Sequence, residues 1–354
     1  MSTGVICAYT NNNRSQVASL VAQWPFKPLA RHHVWGAANL FDLAAQRVMK
    51  TLENENGAAW VMVEGNQARG FASLTMLPWD SEQIGVTAAR LDYLIAEGSG
   101  NEQQQIKKAL LACVMEHAEV RGVRHLSIRV DASDTSSLHA LERCGFLTVD
   151  GILTFALDLN AYRPAPSNHD FQIRLATVAD ANAAAALART AYVHDRFHSD
   201  PSIARERADE LHASWVRNSC TGDAADAVWL AQDESGLLGY VTCSVQRDTA
   251  ERLGHLVGTI VLVATAERAR GRGVGQANTM AALEWFRQRG CQIVEVGTQL
   301  RNIPASRLYQ KCGFQIVGSS VSLRRLILPI LSRDWSIRGP ICLQGENHAN
   351  NDAN

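Results

Sequence analysis

Apolar residues recur along the second half of the chain with two different periods. Val228 to Gln232, Leu238 to Val245 and Gly254 to Ala264 are Val-rich and in places alternate apolar with polar, the period of strands. Ile173 to Leu175 reads as a short strand, Cys291 to Val296 as a buried one and Phe314 to Leu326 as the last. Between them, Ala179 to Val193 is an Ala-rich helix, Gln276 to Arg289 an amphipathic helix and Ser306 to Lys311 a short helix. Asp200-Pro201 predicts a further helix start, with an acid at the N-cap and proline at the first helical position. Ile203, Ala204, Leu211, Trp215 and Val216 then follow at helical spacing. Helices fall between runs of adjacent strands, which predicts an α/β (α+β) fold with a mixed, mostly antiparallel sheet rather than a regular βαβ series.

With 354 residues, two domains of roughly 100–200 residues each are expected. Asn160 to His169, NAYRPAPSNH, reads as the linker, dividing the chain into domains at 1–160 and 170–330. Residues 333–354 end in the polar, Asn-rich GENHANNDAN and read as a disordered tail. The two halves repeat each other: GCQIVEVGTQLRNIPASRLYQKCGF at 290–314 aligns without a gap to GVRHLSIRVDASDTSSLHALERCGF at 122–146, an offset of 168. At that offset Arg270 falls on Glu102, Gly273 on Gln105, Gly275 on Lys107 and Tyr309 on Leu141.

Composition narrows the function classes. Hydrophobic residues make up 46% and charged residues 19%, enough to build cores, and Lys+Arg (34) balances Asp+Glu (35), so no basic surplus points to nucleic acid. The N-terminus lacks a basic stretch before an apolar core, and no apolar run approaches the ~18 residues of a membrane helix. Eight cysteines without a C-x-x-C pair read as reduced cytoplasmic thiols, and no residue is assigned to a metal.

Two motifs carry chemistry. Arg270-Gly-Arg-Gly273-Val-Gly275 joins a strand to a helix, where glycines can turn backbone amides toward an anion at the positive helix end. By itself this loop also fits a plain Gly-rich turn with a solvated basic face. It is not the dinucleotide fingerprint, since the third glycine is missing. Asn302-Ile-Pro-Ala305-Ser-Arg-Leu-Tyr309-Gln-Lys-Cys-Gly313-Phe314 sets a tyrosine on a helix whose packing face is Ala305, Leu308 and Cys312. Read alone, Tyr309 is a packing residue with its hydroxyl in water.

Together and in this order, the two motifs resemble the GNAT acetyltransferase superfamily over residues 170–330. The resemblance implies acetyl-CoA as cosubstrate, an enzyme transferring acetyl to an amine, and tandem GNAT domains of which the first is degenerate. It implies that Arg270, Gly271, Arg272, Gly273, Val274, Gly275 and Gln276 hold the pyrophosphate, and that Val263, Thr265, Asn302 and Ser306 border the cofactor. Tyr309 is then the proton donor to the departing thiolate, and an amide of the strand at Val263 to Thr265 the oxyanion donor. The segments Leu77-Pro-Trp-Asp-Ser81, Asp195-Arg-Phe-His-Ser-Asp-Pro201 and Thr298-Gln299 are similar to the GNAT enzymes that acetylate TDP-linked 4-amino-4,6-dideoxy sugars. That resemblance implies a nucleotide-linked amino sugar as acceptor, met by His194, Arg196, His198, Thr298 and Gln299. The base stays open among His255, Glu295, His194, His198, a water chain and an amine already partly deprotonated. Two alternatives remain: a non-catalytic acyl-CoA-binding module, and an acetyltransferase for a protein α-amine. The expected partners are a small-molecule amine, with a homodimer left open and neither nucleic acid nor membrane.

Overall fold

A computed structural model describes residues 4–27, 29–30, 37–163 and 169–328; the centre of the linker (164–168) and the tail at 333–354 lie outside the described residues. The first half contains strands β1 Val5–Ala8, β2 Gly57–Glu64, β3 Gln67–Met76, β4 Ala88–Ala96, β5 His125–Asp131 and β6 Leu147–Asp158. Its helices are α1 Arg14–Gln23, α2 Ala37–Leu52, α3 Pro78–Ile84, α4 Gly100–Val120 and α5 Thr135–Arg143. The second half contains β7 Gln172–Leu175, β8 Ala227–Asp233, β9 Gly236–Gln246, β10 Leu256–Thr265, β11 Cys291–Gln299 and β12 Gln315–Leu326. Its helices are α6 Ala181–Ala191, α7 Arg196–Ser199, α8 Arg205–Thr221, α9 Arg247–Leu253, α10 Val274–Gln288 and α11 Ile303–Lys311. The α/β class and the mixed sheet expected from the periodicity are therefore observed.

Among the described residues twelve strands form one sheet in the order β1-β2-β3-β4-β5-β12-β6-β11-β10-β9-β8-β7. Each half lays down five strands from its own edge inward, and the last strand of each half crosses to the other. β12 pairs antiparallel with β5, from Ser320 opposite Asp131 to Leu326 opposite His125. β6 pairs antiparallel with β11, from Ile293 opposite Asp158 to Gln299 opposite Ile152. The exchanged strands also pair with one another. Their apolar residues complete the neighbour's core: Leu323 packs with Leu91, Leu126 and Phe146 of the first half. Phe155 packs with Ile260, Phe286 and Phe314 of the second. Fully burying one such side chain is worth about 1.5–3 kcal/mol, so each half's core is stabilised in part by the other's strand.

Local rules account for most boundaries. Asp134 and Asn302, equivalent in the repeat, both cap a helix, accepting from the amides of Ser137 (3.0 Å) and Ala305 (3.2 Å). Two expectations are corrected. The helix after Asp200-Pro201 begins only at Arg205, because the Asp200 carboxylate is taken by Arg324, His125 and Ser202 rather than left to cap a helix. Gly254 does not open a strand; it ends α9, a helix the periodicity did not reveal, at φ +70°.

Candidate active site

The two parallel strand pairs at equivalent places in the halves hold only at their beginnings. β10 pairs with β11 from Leu256–Cys291 to Ile260–Val296 and then parts from it. A register shift between Ile260 and Val263 bends β10 away at the same point. β4 and β5 pair only from Ala88 to Arg90. A cavity of about 1210 Å³ opens there and draws its walls from both halves.

One end is the glycine loop. After β10, Glu267–Ala269 makes a single tight turn; Gly271 and Gly273 then adopt φ +81° and +82°, and α10 starts at Val274. Those left-handed values favour glycine, and they leave the first-turn amides of α10 without helical partners. Arg270, Gly271, Gly273, Val274, Gly275 and Gln276 line the cavity, as do Val263 and Thr265. Arg272 does not: its guanidinium turns away to Asp233 and Asp170, each at 3.1 Å. Gly239 in β9 lies beneath the loop; a Cβ there would meet the Ala264 carbonyl oxygen at 2.6 Å and Val274 Cγ1 at 2.8 Å.

Tyr309 stands on the wall between the parted strands. It is 3% exposed, its ring 5.7 Å from Phe155 of the exchanged β6 and 5.9 Å from Phe314. Burial pushes its phenol above the ordinary value, so it carries its proton at neutral pH. Asn302 lines the cavity while capping α11; Ser306 is absent from the lining and donates its hydroxyl back to the Asn302 carbonyl at 3.2 Å.

The polar end gathers His194, Arg196, Thr298 and Gln299, but not His198, whose two ring nitrogens bond Asp195 and Asp209. His255 and Glu295 are not among the lining residues. Glu295 accepts from Gln246 at 3.4 Å, and His255 Nδ1 is buried with no hydrogen-bond partner among the described residues.

Sequence reasoning missed much of this end. Arg90, Asp92, Arg129 and Asp150 reach it from β4, β5 and the exchanged β6 of the first half, and Tyr192 and His212 from the second. Asp150 is 7% exposed, its Oδ2 has no hydrogen-bond partner among the described residues, and burial pushes its carboxyl up to about 6. Burial, with the like charges of Arg196 and Arg90, pulls Arg129 down to about 10. Among the described residues no carboxylate stands within salt-bridge distance of Arg129; its Nε meets Ser322 Oγ at 3.4 Å. The repeat holds a signal for these positions, since β4 aligns with β10 at the same 168-residue offset.

The place equivalent to the glycine loop is filled in the first half. Lys107, at the position of Gly275, is buried, with Nζ 3.2 Å from Asp134 Oδ1 and 2.7 Å from Ser137 Oγ. An ammonium paired with the helix cap occupies the place where the second half presents free amides.

Comparison with known proteins agrees with this arrangement. A model described as "Acetyltransferase (GNAT) family" matches residues 190–314, and one described as "Acetyltransferase (GNAT) domain" matches residues 10–147, together more than half of the chain. The chain is 28% identical over 198 residues to dTDP-fucosamine acetyltransferase of Escherichia coli O6:H1, spanning 56% of this chain and 80% of that one. It is 24% identical over 237 residues to the spore coat polysaccharide biosynthesis protein SpsD of Bacillus subtilis, spanning 67% and 76%. Among solved structures, a tandem GNAT protein from the clavulanic acid biosynthesis pathway superposes with a TM-score of 0.58 at 15% identity, over 91% of this chain and 98% of that one. A GCN5-related N-acetyltransferase from Sphaerobacter thermophilus gives 0.59 at 19% identity, over 91% and 95%. At these identities the structures speak for the fold alone.

Proposed function

Because the chain belongs to the GNAT acetyltransferase family and carries two of its domains in tandem, we propose that its second domain moves acetyl from acetyl-CoA to the primary amine of a nucleotide-linked amino sugar. The observation that carries this reading is the single cavity that joins the glycine loop, Tyr309 and a polar end with Arg196, Arg129 and Asp150. The amides after Gly273 suit the pyrophosphate of the cosubstrate. With the cosubstrate bound there, its thioester would extend into the gap between β10 and β11, beside Tyr309. The protonated phenol of Tyr309 suits donation to the leaving thiolate, and an amide between Val263 and Thr265 suits the oxyanion.

The acceptor reading rests on the names of two relatives, one an acetyltransferase for dTDP-fucosamine and one a protein of polysaccharide biosynthesis. It rests also on the arginines, since guanidinium forms paired bonds to phosphate oxygens. We take the functional partition to be 1–160 and 170–330, with the first domain supplying acceptor-side wall and no second cofactor site, in keeping with Lys107 in its slot. Among the described residues no helix is long and apolar enough to cross a membrane, and we place the reaction in the cytoplasm. Retention of Tyr309 favours an enzyme over a binding module, which needs the loop but no proton donor.

The test is mass-spectrometric detection of acetyl transfer. A TDP-linked 4-amino-4,6-dideoxyhexose should be acetylated far faster than the same free amino sugar. Equal rates on both, or none on either, would remove the sugar-nucleotide reading, and a wider amine library would then show whether any amine is acetylated.

A further inference from the structure

A run of titratable side chains, Asp195, His198, Asp209 and His212, ends on the cavity wall beside Tyr192. His212 is 3% exposed and lines the cavity. Its Nδ1 lies 2.9 Å from the Ala208 carbonyl oxygen. A carbonyl only accepts, so Nδ1 carries the hydrogen and Nε2 the lone pair. Nε2 stands 3.7 Å from Asp195 Oδ2, beyond hydrogen-bond reach but close enough to feel its charge. The ring stacks on Tyr192 with centroids 4.3 Å apart, and the Tyr192 hydroxyl is 3.1 Å from that of Tyr240. Burial pulls the His212 ring below its ordinary value, with Asp195 and Asp209 pulling it up and His198 adding to the lowering, so the ring is neutral at neutral pH.

The neighbouring residues hold Asp195 in one place and one charge state. His198 Nδ1 is 2.5 Å from Asp195 Oδ2, and its Nε2 is 2.9 Å from Asp209 Oδ1. Burial works against its charge, but the two carboxylates outweigh that and raise its pKa, so both nitrogens donate. Asp195 also accepts from the amides of Phe197 (2.9 Å) and His198 (3.2 Å). Burial opposes its charge too, yet these donors keep its carboxyl below the usual range. With both nitrogens of His198 engaged by carboxylates, the group forms a hydrogen-bonded chain that ends at Asp195, whose Oδ2 stands 3.7 Å from His212 Nε2.

Resting on the acetyl-transfer reading above, we infer that His212 is its general base, with Asp195, His198 and Asp209 as positioning residues behind it. As the acceptor nitrogen forms its bond to the acetyl carbon and the carbon–sulfur bond breaks, the nitrogen's proton passes to Nε2. Tyr309 gives its proton to the sulfur, and the two residues return to their starting states by exchange with solvent once the products leave. His194 and Asp150 also line the cavity, and the carboxyl of Asp150 feels the charges of Arg301, Arg129 and Asp195.

The test is a set of pH–rate profiles on the full chain, with acetyl-CoA and the best acceptor from the screen. His212→Asn keeps an N–H for the Ala208 carbonyl and removes the lone pair. kcat/KM should fall by roughly 10²–10⁴-fold at neutral pH, and the acidic limb of the parent profile should vanish. Acetyl-CoA affinity should not change. Asp195→Asn should move the acidic limb to lower pH, because the carboxylate that favours the protonated ring is gone, a displacement that a merely structural role would not produce. A parental profile in His212→Asn, or loss of the limb in Asp150→Asn instead, would overturn the assignment. Nitrogen-15 NMR of labelled histidine needs no acceptor: a neutral Nδ1–H form of His212 is expected, and an Nε2–H form or an imidazolium at neutral pH would refute it. If the parent acetylates no amine at all, the acetyl-transfer reading fails and this inference fails with it.

Discussion

Replacing Asp200 by asparagine tests whether the two halves are held as one unit by a buried ion cluster. Asp200 is 2% exposed and its carboxylate receives Arg324 Nε at 3.0 and 3.1 Å, His125 Nε2 at 3.0 Å, and Ser202 through its amide (3.0 Å) and hydroxyl (2.7 Å). Arg324 lies on the exchanged β12, His125 on β5 of the first half, and Asp200 in the turn before α8. Asparagine keeps the shape and removes the charge, so the guanidinium of Arg324 stays buried without a counter-ion. Removing one partner of a buried pair costs about 3–5 kcal/mol, whereas replacing both by apolar groups can be close to neutral. We therefore expect Asp200→Asn to lose about 3–5 kcal/mol in urea denaturation followed by circular dichroism, and Asp200→Asn combined with Arg324→Met to recover most of it. The pH dependence has a definite sign. Burial opposes the charge of Asp200, but His125, Ser202 and Arg324 hold its folded pKa well below the unfolded value of about 3.9. Its contribution is thus complete above about pH 4 and is lost as pH falls toward the folded value. A loss under about 1 kcal/mol, or a double variant no better than the single one, would refute the argument.

Three further outcomes bear on the site. Gly273→Glu puts a side chain and a negative charge at φ +82°, where no atom stands within 4 Å of the new Cβ; the backbone cost is roughly 1–2 kcal/mol, so the fold should persist while calorimetry shows acetyl-CoA binding lost. Gln105→Glu, at the equivalent exposed place on α4, should leave that affinity alone. Tyr309→Phe keeps the packing against Phe155 and Phe314 and removes the proton, so kcat should drop by roughly 10²–10⁴-fold with little change in cosubstrate affinity; parental turnover would make Tyr309 a packing residue. Arg196→Ala should raise KM for the nucleotide sugar and leave KM for acetyl-CoA unchanged, as read by steady-state kinetics with each substrate varied in turn.

What the sequence determined by itself is local. The glycines at 271 and 273, the asparagine cap at 302 and the tyrosine seven residues on are short-range patterns whose backbone consequences hold wherever the segment is placed, and the structure shows the expected loop and helix. The repeat likewise revealed that Lys107 stands where the second half has Gly275, though not that its ammonium would find Asp134 and Ser137. The tertiary structure decided the pairing. β6 and β12 have the same alternation whichever sheet receives them, so nothing in their period distinguishes pairing at home from exchange. Because they exchange, Phe155 comes to lie against Tyr309, and Asp150 joins Arg129 and Arg196 at the polar end of the cavity. Asp200 shows the same limit from the other side: its sequence context favours a helix cap, but a buried guanidinium brought in by the exchanged strand has the stronger claim on a carboxylate than one backbone amide. His212 carries no motif in the sequence, and only the fold of α7 against α8 sets Asp195 beside it and puts its ring on the cavity wall. Contacts of this kind join residues far apart in sequence, and no local periodicity carries a record of them.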